Sequence, residues 1–291
     1  MNNEVKRVKK QSMSTSKKRI INGTLKEIVL IVVSFIFIMP ILLGLIMSIQ
    51  PQSAIFSFPP KFYPVGFNWH NYEKAIQTVN FGRLTLNSLI MAVTITAGKV
   101  VTGVLAGYAF ANFTFKGKGF LFSFLFATLF LPAETVMIVP LFKIMKQFGW
   151  VNTYWALTIP FMASATNTFL MRQHFKTIPK SLEEAAMIDG AGPMTYFVKI
   201  LLPISKPMIS GMVIINFVYA WNLYLWPLIT TMDDNMKTVQ IGINMLMAAD
   251  TARNWGVIMA GTMIALAPTI IVFLALQNLF VSSLVRSGMK G

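Results

Sequence analysis

The chain of 291 residues is 55% hydrophobic, only 12% charged and has a mean hydropathy of +0.62, a composition that excludes a pair of ordinary soluble domains and makes lipid its solvent. It has no cysteine, which excludes a disulfide framework, a thiol nucleophile and a thiolate metal site, and its two histidines, His70 and His174, stand far apart in loop-like sequence. A net charge of +15 would suggest nucleic acid as the partner of a soluble protein, but here the basic residues border apolar runs, so the membrane accounts for them.

Residues 1–26, which contain EVKRVKKQSMSTSKKR, are basic and polar without an apolar helical stripe, and read as a flexible cytoplasmic arm near anionic lipid. Six apolar stretches follow: Glu27–Ile49, Leu84–Ala111, Phe120–Leu141, Tyr154–Met171, Met208–Thr230 and Gly256–Phe280. About 20 residues suffice to cross a hydrocarbon core of roughly 30 Å as a helix, so the expected fold is an all-α integral membrane protein with six transmembrane helices in residues 27–283 and a short tail, 284–291. The fourth stretch is interrupted by SATNT, and Pro40, Pro132, Pro160, Pro227 and Pro268 mark expected kinks. The first stretch is too long for a signal peptide and no small-residue cleavage site follows it, so it reads as a retained anchor.

Lys and Arg set the orientation. Counted on alternate sides, seventeen fall in the N-terminal arm, the 112–119 turn, the 172–206 loop and the tail, against seven in the other loops, with Lys99 inside a span. The excess places both termini and the 172–206 loop in the cytoplasm. On the outer side, FSFPPKFYPVGFNWHNY alternates aromatics with prolines and reads as an ordered cap at headgroup level, either docking an external partner or forming a plain interfacial belt. The Met232–Trp255 loop is expected to hold a short helix over the outer mouth.

The acidic residues are distributed unevenly. Of ten in the chain, Glu183, Glu184 and Asp189 lie within seven positions of SLEEAAMIDGAG, Ser181 to Gly192. Ser181 with Glu184 has capping-box spacing, Pro179 stops the preceding helix, and Gly190 can supply a left-handed terminator. Leu182, Ala185, Ala186 and Ile188 make a small apolar surface, and Pro193 opens a second short helix that ends at Pro203. This is either a docking knob or an interfacial helix pair, and acid facing an anionic leaflet disfavours the second.

Glu184, Ala185, Ala186, then Gly190, Ile200 and Leu202-Pro203, resemble the signature loop of membrane subunits in binding-protein-dependent ABC importers. The six-span layout, the loop position between spans four and five, and QNLFVSSLVRSGMKG resemble the sugar-importer branch. The resemblance implies an importer permease of type I fold whose coupling helix, Ser181 to Gly192, sits in a groove of a cytoplasmic ATPase. Glu184 would be the family's glutamate and Gly190 its turn glycine, with Glu183, Ala185, Ala186 and Asp189 beside them. The tail with Lys290 and Gly291 would also reach the ATPase, although Ser282 and Ser283 stand where glycine is expected. Implied partners are a homologous second permease subunit, two ATPase copies and an extracytoplasmic substrate-binding protein, in a bacterial cytoplasmic membrane. The chain has no GxxxxGK[ST] phosphate loop, so ATP belongs to another polypeptide, and no cofactor is implied. MASATNTFLMRQ, AWNLYLWPL and ITAGKVV resemble the permeases of glycerol-3-phosphate importers, with maltodextrin and other oligosaccharide importers as the alternative.

Polar groups inside spans are costly and mark candidate substrate paths. Lys99 and Glu134 lie seventeen and eighteen residues from the turn at Lys116, about 26 Å at 1.5 Å per residue, so a salt bridge across the hairpin is expected. It is either purely structural or borders the path of an anionic solute. In YAWNLYLWPL, Tyr219, Trp221, Asn222 and Tyr224 offer hydrogen bonds beside flat apolar faces, as sugar-like ligands require, while a belt role explains Trp226. Ser164 to Thr168 either line the same cavity or bond helix to helix. The rivals are an ion-driven secondary transporter, for which only Glu134 is acidic near the midplane, and an intramembrane enzyme, for which no acid, base and nucleophile converge.

Overall fold

The computed structural model describes residues 2–59, 61–130, 136–249 and 254–288. Ten helices carry its architecture: α1 (Asn2–Ile49), α2 (His70–Thr78), α3 (Phe81–Asn112), α4 (Lys118–Ala127), α5 (Ile138–Gln147), α6 (Ala165–Lys176), α7 (Lys180–Ile188), α8 (Lys206–Trp221), α9 (Val239–Ala249) and α10 (Trp255–Gly288). Shorter turns of helix join them, and no strand occurs among the described residues.

Where six continuous spans are expected, the helices among the described residues that are long and apolar enough to cross a membrane are three: Lys26–Ile49, Phe81–Asn112 and Trp255–Gln277. A fourth arises if Pro193–Ile204 and α8, bent by 72°, count together. The other stretches are broken for local reasons. In the third, α4 runs into a 3₁₀ turn, Thr128–Phe130, and α5 begins at Ile138. In the fourth, Tyr154–Thr158 tightens into a 3₁₀ turn containing Pro160, and α6 starts afresh because the Ser164 side chain accepts from the Asn167 N–H at 3.2 Å. SATNT is therefore a helix cap rather than a flaw in one helix. In the fifth, α8 stops at Trp221, the Asn222 amide bonds back to the Val218 carbonyl at 2.7 Å, and helix resumes over Leu225–Thr230.

The basic arm differs from expectation too. Helix α1 continues through it from Asn2 rather than leaving it flexible. The segment has a single glycine, Gly23, and no proline before Pro40, so nothing in its backbone stops a helix even though it lacks an apolar stripe.

The chain divides into two compact units, Met1–Tyr72 with Asn254–Ala260, and Glu73–Arg253 with Gly261–Gly291. In the first, buried amides fasten the post-α1 loop to the helix end. Asn71 Nδ2 donates to the carbonyls of Ser48 (3.0 Å) and Gln50 (2.9 Å), and Gln50 Nε2 donates to that of Tyr63 (2.6 Å). The aromatics between them point outward, Phe58 at 97% exposure, as an ordered aromatic cap requires.

In the second unit, α3 is the central post. Its Gly98, Gly103 and Gly107 lie against Met162, Asn167 and Met171, so closely that a Cβ added at each would come within 2.6 Å of the facing Cβ. Small residues at an interface let helices approach this far inside a membrane. At the far end, Asn87 donates to the carbonyls of Asn235 (2.7 Å) and Lys237 (2.9 Å) and accepts from the Tyr154 hydroxyl (2.6 Å). That network anchors the 232–255 loop, which holds the expected short helix as α9.

Candidate functional site

Helix α7 is built by its ends. Pro179, with φ −58° and ψ 133°, is the residue that precedes the first turn, and no side chain caps the helix. Ser181 lies inside the helix, so the expected capping box does not form; the extended backbone of Pro179 starts the helix two residues early. At the other end Gly190 has φ +77°, the Ala191 N–H bonds to the Ala186 carbonyl (2.9 Å) and the Gly190 N–H to that of Met187 (3.0 Å). These are the paired bonds of a Schellman stop, and the left-handed residue they need is the glycine.

The helix has two faces. Glu183 and Ala186 turn inward: Glu183 Oε2 accepts from Asn112 Nδ2 at 3.2 Å, and Ala186, 4% exposed, packs among Tyr108, Phe175, Tyr196 and Phe197. Glu184, Ala185, Asp189 and Gly190 face outward with the apolar side chains of Met187 (59%) and Ile188 (86%). The root is stiff, since Tyr108 stacks on Phe197 at 4.6 Å and its hydroxyl bonds to the Pro193 carbonyl at 2.9 Å. Burial, and then the nearby Glu183 carboxylate, push the Tyr196 hydroxyl pKa up. Beyond Pro193–Tyr196 a π turn, Phe197–Leu201, leads to the sharp bend at Ser205. There the fully buried Ser205 hydroxyl meets His174 Nε2 at 3.0 Å, and burial pulls the His174 pKa down. The result is a rigid projection with an acidic and apolar outer surface.

A polar pocket lies further along the same helices. It is half open, has a volume of about 290 Å³, and is lined by Lys99 of α3, Ser164, Thr166 and Asn167 at the start of α6, and Asn216 and Tyr219 of α8, with Leu170, Met212 and Ile215 as its apolar wall. The Lys99 ammonium sits 3.7 Å from the centre of the Tyr219 ring. Asn167 Nδ2 donates to the Lys99 carbonyl at 3.2 Å, which fixes α6 against α3 at this level. The SATNT segment therefore both bonds helix to helix and lines the cavity.

Of the path candidates, the structure brings Lys99 and Tyr219 together and places Trp221, Asn222 and Tyr224 outside the pocket lining. Trp221 is 1% exposed, donates to the Ala265 carbonyl at 3.0 Å and stacks on Phe217, which makes it a packing residue. Asn222 closes the end of α8 and accepts from Gln240 Nε2 at 3.2 Å, while Tyr224 is 37% exposed and outside the lining. Glu134, and with it the expected salt bridge, lies outside the described residues, as do Lys290 and Gly291. Thr166 lies in the SATNT segment singled out from sequence, whereas Asn216 was not. Asn216 carried a usable signal, an amide within the apolar run MVIINFVYAW.

Projection and pocket share their supports. Helix α3 carries Lys99 and, nine residues or about 14 Å on, Tyr108. Helix α6 carries Asn167 and Phe175, and Met212 of α8 belongs both to the core beneath α7 and to the pocket wall. The core beneath α7 and the pocket are therefore joined by the same three packed helices.

A knob rooted in transmembrane helices beside an intramembrane polar cavity defines a transporter's membrane subunit. Residues 99–286 match the family described as the binding-protein-dependent transport system inner membrane component, and the chain belongs to it. It is thus a permease subunit of an ABC importer rather than an enzyme. Over 268 residues, 90% of this chain and 95% of the relative, it is 37% identical to the sn-glycerol-3-phosphate transport system permease protein UgpE of Pectobacterium atrosepticum. The protein of the same description from Brucella abortus is 37% identical over 278 residues, 93% of this chain and 98% of the relative. The fold is similar to that in the crystal structure of a bacterial ABC transporter involved in the import of the acidic polysaccharide alginate. There the TM-score is 0.73 at 22% identity, covering 89% of this chain and 96% of that one. A second solved structure, the alginate transporter in complex with an alginate pentasaccharide-bound periplasmic protein, gives a TM-score of 0.61 at 13% identity, with coverage of 86% and 91%.

Proposed function

We propose that this chain passes glycerol-3-phosphate, or a related glycerophosphodiester, across the cytoplasmic membrane of a bacterium as one permease half of an ATP-driven importer. The observation that carries this reading is the 37% identity to glycerol-3-phosphate permeases over nine-tenths of the chain, which spans both the knob and the pocket. The oligosaccharide alternative draws on the alginate importer, whose likeness at 22% identity concerns the fold alone.

In this reading both termini and the 172–206 loop are cytoplasmic, with a basic segment 1–26, a permease body 27–283 and a tail 284–291. A homologous second permease subunit completes the cavity, two copies of a separate ATPase hydrolyse ATP, and an extracytoplasmic binding protein delivers the solute. The outer face of α7, with Glu184, Ala185, Asp189 and Gly190, docks on the ATPase, while Glu183 and Ala186 root the helix. Closure of the ATPases moves α7, and α3, α6 and α8 rock as a unit between inward- and outward-facing states. The test is ATP hydrolysis by the reconstituted importer, driven by its binding protein loaded with glycerol-3-phosphate, glycerophosphodiesters or oligosaccharides. Stimulation by the glycerol phosphates is expected. Stimulation by oligosaccharides alone overturns the substrate assignment, and uptake by this chain under an ion gradient without an ATPase overturns the importer.

A further inference from the structure

We infer that Lys118, Arg172 and Lys176 form a headgroup site for an anionic phospholipid of the inner leaflet, whose acyl chains run along the exposed aromatic face of α4. The inference rests on the orientation in the reading above, which puts the 112–119 turn and the end of α6 on the cytoplasmic side, and not on the solute. Arg172 of α6 is fixed by two other helices. Its guanidinium carbon lies 3.8 Å from the centre of the Phe122 ring on α4, and its Nε donates to the Phe110 carbonyl of α3 at 3.3 Å. Phe122 in turn stacks on Phe169 of α6. Lys118, the first residue of α4, donates to the Phe113 carbonyl at 2.6 Å. Lys176, one turn beyond Arg172 on α6, is exposed.

The cations are gathered against their own repulsion. Like charges four residues apart on a helix are unfavourable, and so is a lysine at the positive end of a helix. Burial, and then the charges of Arg172 and Lys176, pull the Lys118 pKa down. No ion pair among the described residues joins any of the three to a carboxylate, and Glu183, at the end of α3, is taken up by Asn112. An excess of positive charge on this side orients the chain, but it does not require three cations at one spot. A phosphate group offsets all three, with the guanidinium as a fork and the ammonium groups as charge-assisted donors. The helix beneath them decides which phosphate. No residue of α4 is buried, and Phe120 (75% exposed), Leu121 (49%) and Phe124 (66%) follow directly on Lys118. Its ten residues span about 15 Å, the depth of one leaflet. A basic pocket between helices that opens on such a face suits a lipid, whereas a free phosphate ion would use the cations alone.

The experiment places the assembled importer, its other subunits freed of cysteine, in nanodiscs of phosphatidylcholine with about a tenth of phosphatidylglycerol. Gly119→Cys carries a bimane label, since this chain has no cysteine and a Cβ added at Gly119 meets open space. Brominated phosphatidylglycerol is expected to quench the label about threefold more strongly than the same fraction of brominated phosphatidylcholine. Lys118→Gln with Lys176→Gln should bring that ratio to about one, and Lys146→Gln, an exposed lysine on α5, should leave it at about threefold. The two lysines are chosen because Arg172→Gln would also remove the packing on Phe122. Equal quenching by the two lipids in wild type, or an unchanged excess in the double lysine variant, overturns the inference. Loss of the excess on adding millimolar inorganic phosphate overturns it as well, because the cations would then hold a free anion. Hydrolysis stimulated by loaded binding protein is read on the same discs, and its absence counts against the importer reading alone, because the quenching ratio needs no solute. If no importer assembles around this chain, that reading fails, and the same ratio read on the full-length chain alone decides the lipid site.

Discussion

The knob at α7 and the pocket at Lys99 are supported by the same three helices, yet they are made in opposite ways. The knob is contiguous: twelve residues, Ser181 to Gly192, hold its outward face, its inward Glu183 and Ala186 and its stop. The pocket is assembled from residues as far apart as Lys99 and Tyr219, and it exists only once α3, α6 and α8 have packed. In the proposed function, a part that docks on another polypeptide can be one exposed helix, whereas a part that surrounds a solute has to be drawn from several. The difference makes the pocket depend on helix packing in a way that the knob's outer surface does not.

The largest effect is expected where that shared packing is broken. Gly103→Leu would drive a side chain into Asn167, where a single added Cβ already comes within 2.6 Å, and Cβ-to-Cβ closeness leaves no flexible end to yield. Overpacking of this kind costs about 1–3 kcal/mol or more. We expect loss of assembled complex, and of both uptake and hydrolysis, on size-exclusion chromatography and in proteoliposomes. Normal assembly would show that α3 and α6 are not a fixed pair.

The next effect separates the two regions. Glu184→Lys changes an exposed residue and is expected to leave the chain's thermal stability unchanged while lowering stimulated hydrolysis about tenfold. Gly190→Pro should lower hydrolysis as well, by disrupting the end of α7, because proline cannot adopt φ +77° and has no N–H to donate to the Met187 carbonyl. Wild-type transport in both variants would rule out the outer face of α7 as a docking surface.

Smaller effects distinguish two neighbouring aromatics on α8. Tyr219→Leu is expected to lower uptake about tenfold and Tyr219→Phe to retain it, because the ring face and not the hydroxyl meets Lys99. Trp221→Phe loses the bond to the Ala265 carbonyl, worth about 1 kcal/mol of stability, with uptake within about twofold of wild type. The reverse ranking would move the path from Tyr219 to Trp221.

These two aromatics also show what the sequence could convey. YAWNLYLWPL marks a polar break in an apolar span, and the break is real, yet helical geometry sends Tyr219 into the cavity and Trp221 into the core two residues later. Only tertiary packing decides which side of α8 is wet. The same holds for SATNT, whose location was legible but whose Ser164 cap and pocket-lining Thr166 depend on α3 nearby. The knob was legible almost completely because its signals are local: Pro179, the alanines and Gly190. Its misreading, Ser181 as cap, is a shift of two positions to Pro179, whose fixed backbone starts the helix.

The smallest expected effect concerns the joint between the two regions. His174 lies three residues beyond the fourth apolar stretch and meets the buried Ser205 hydroxyl at the 72° bend that separates the knob's second helix from α8. Burial depresses its pKa, so the unfolded chain binds the imidazole proton more readily than the folded one. The stability this neutral histidine contributes is therefore complete above the ordinary histidine pKa of about 6.5 and is lost as pH falls through the depressed value. Thermal unfolding of the purified chain should shift to lower temperature between about pH 7 and pH 5, and His174→Asn should flatten that slope. An unchanged slope in His174→Asn would assign the acid sensitivity to other groups and leave the bend at Ser205 held by packing alone.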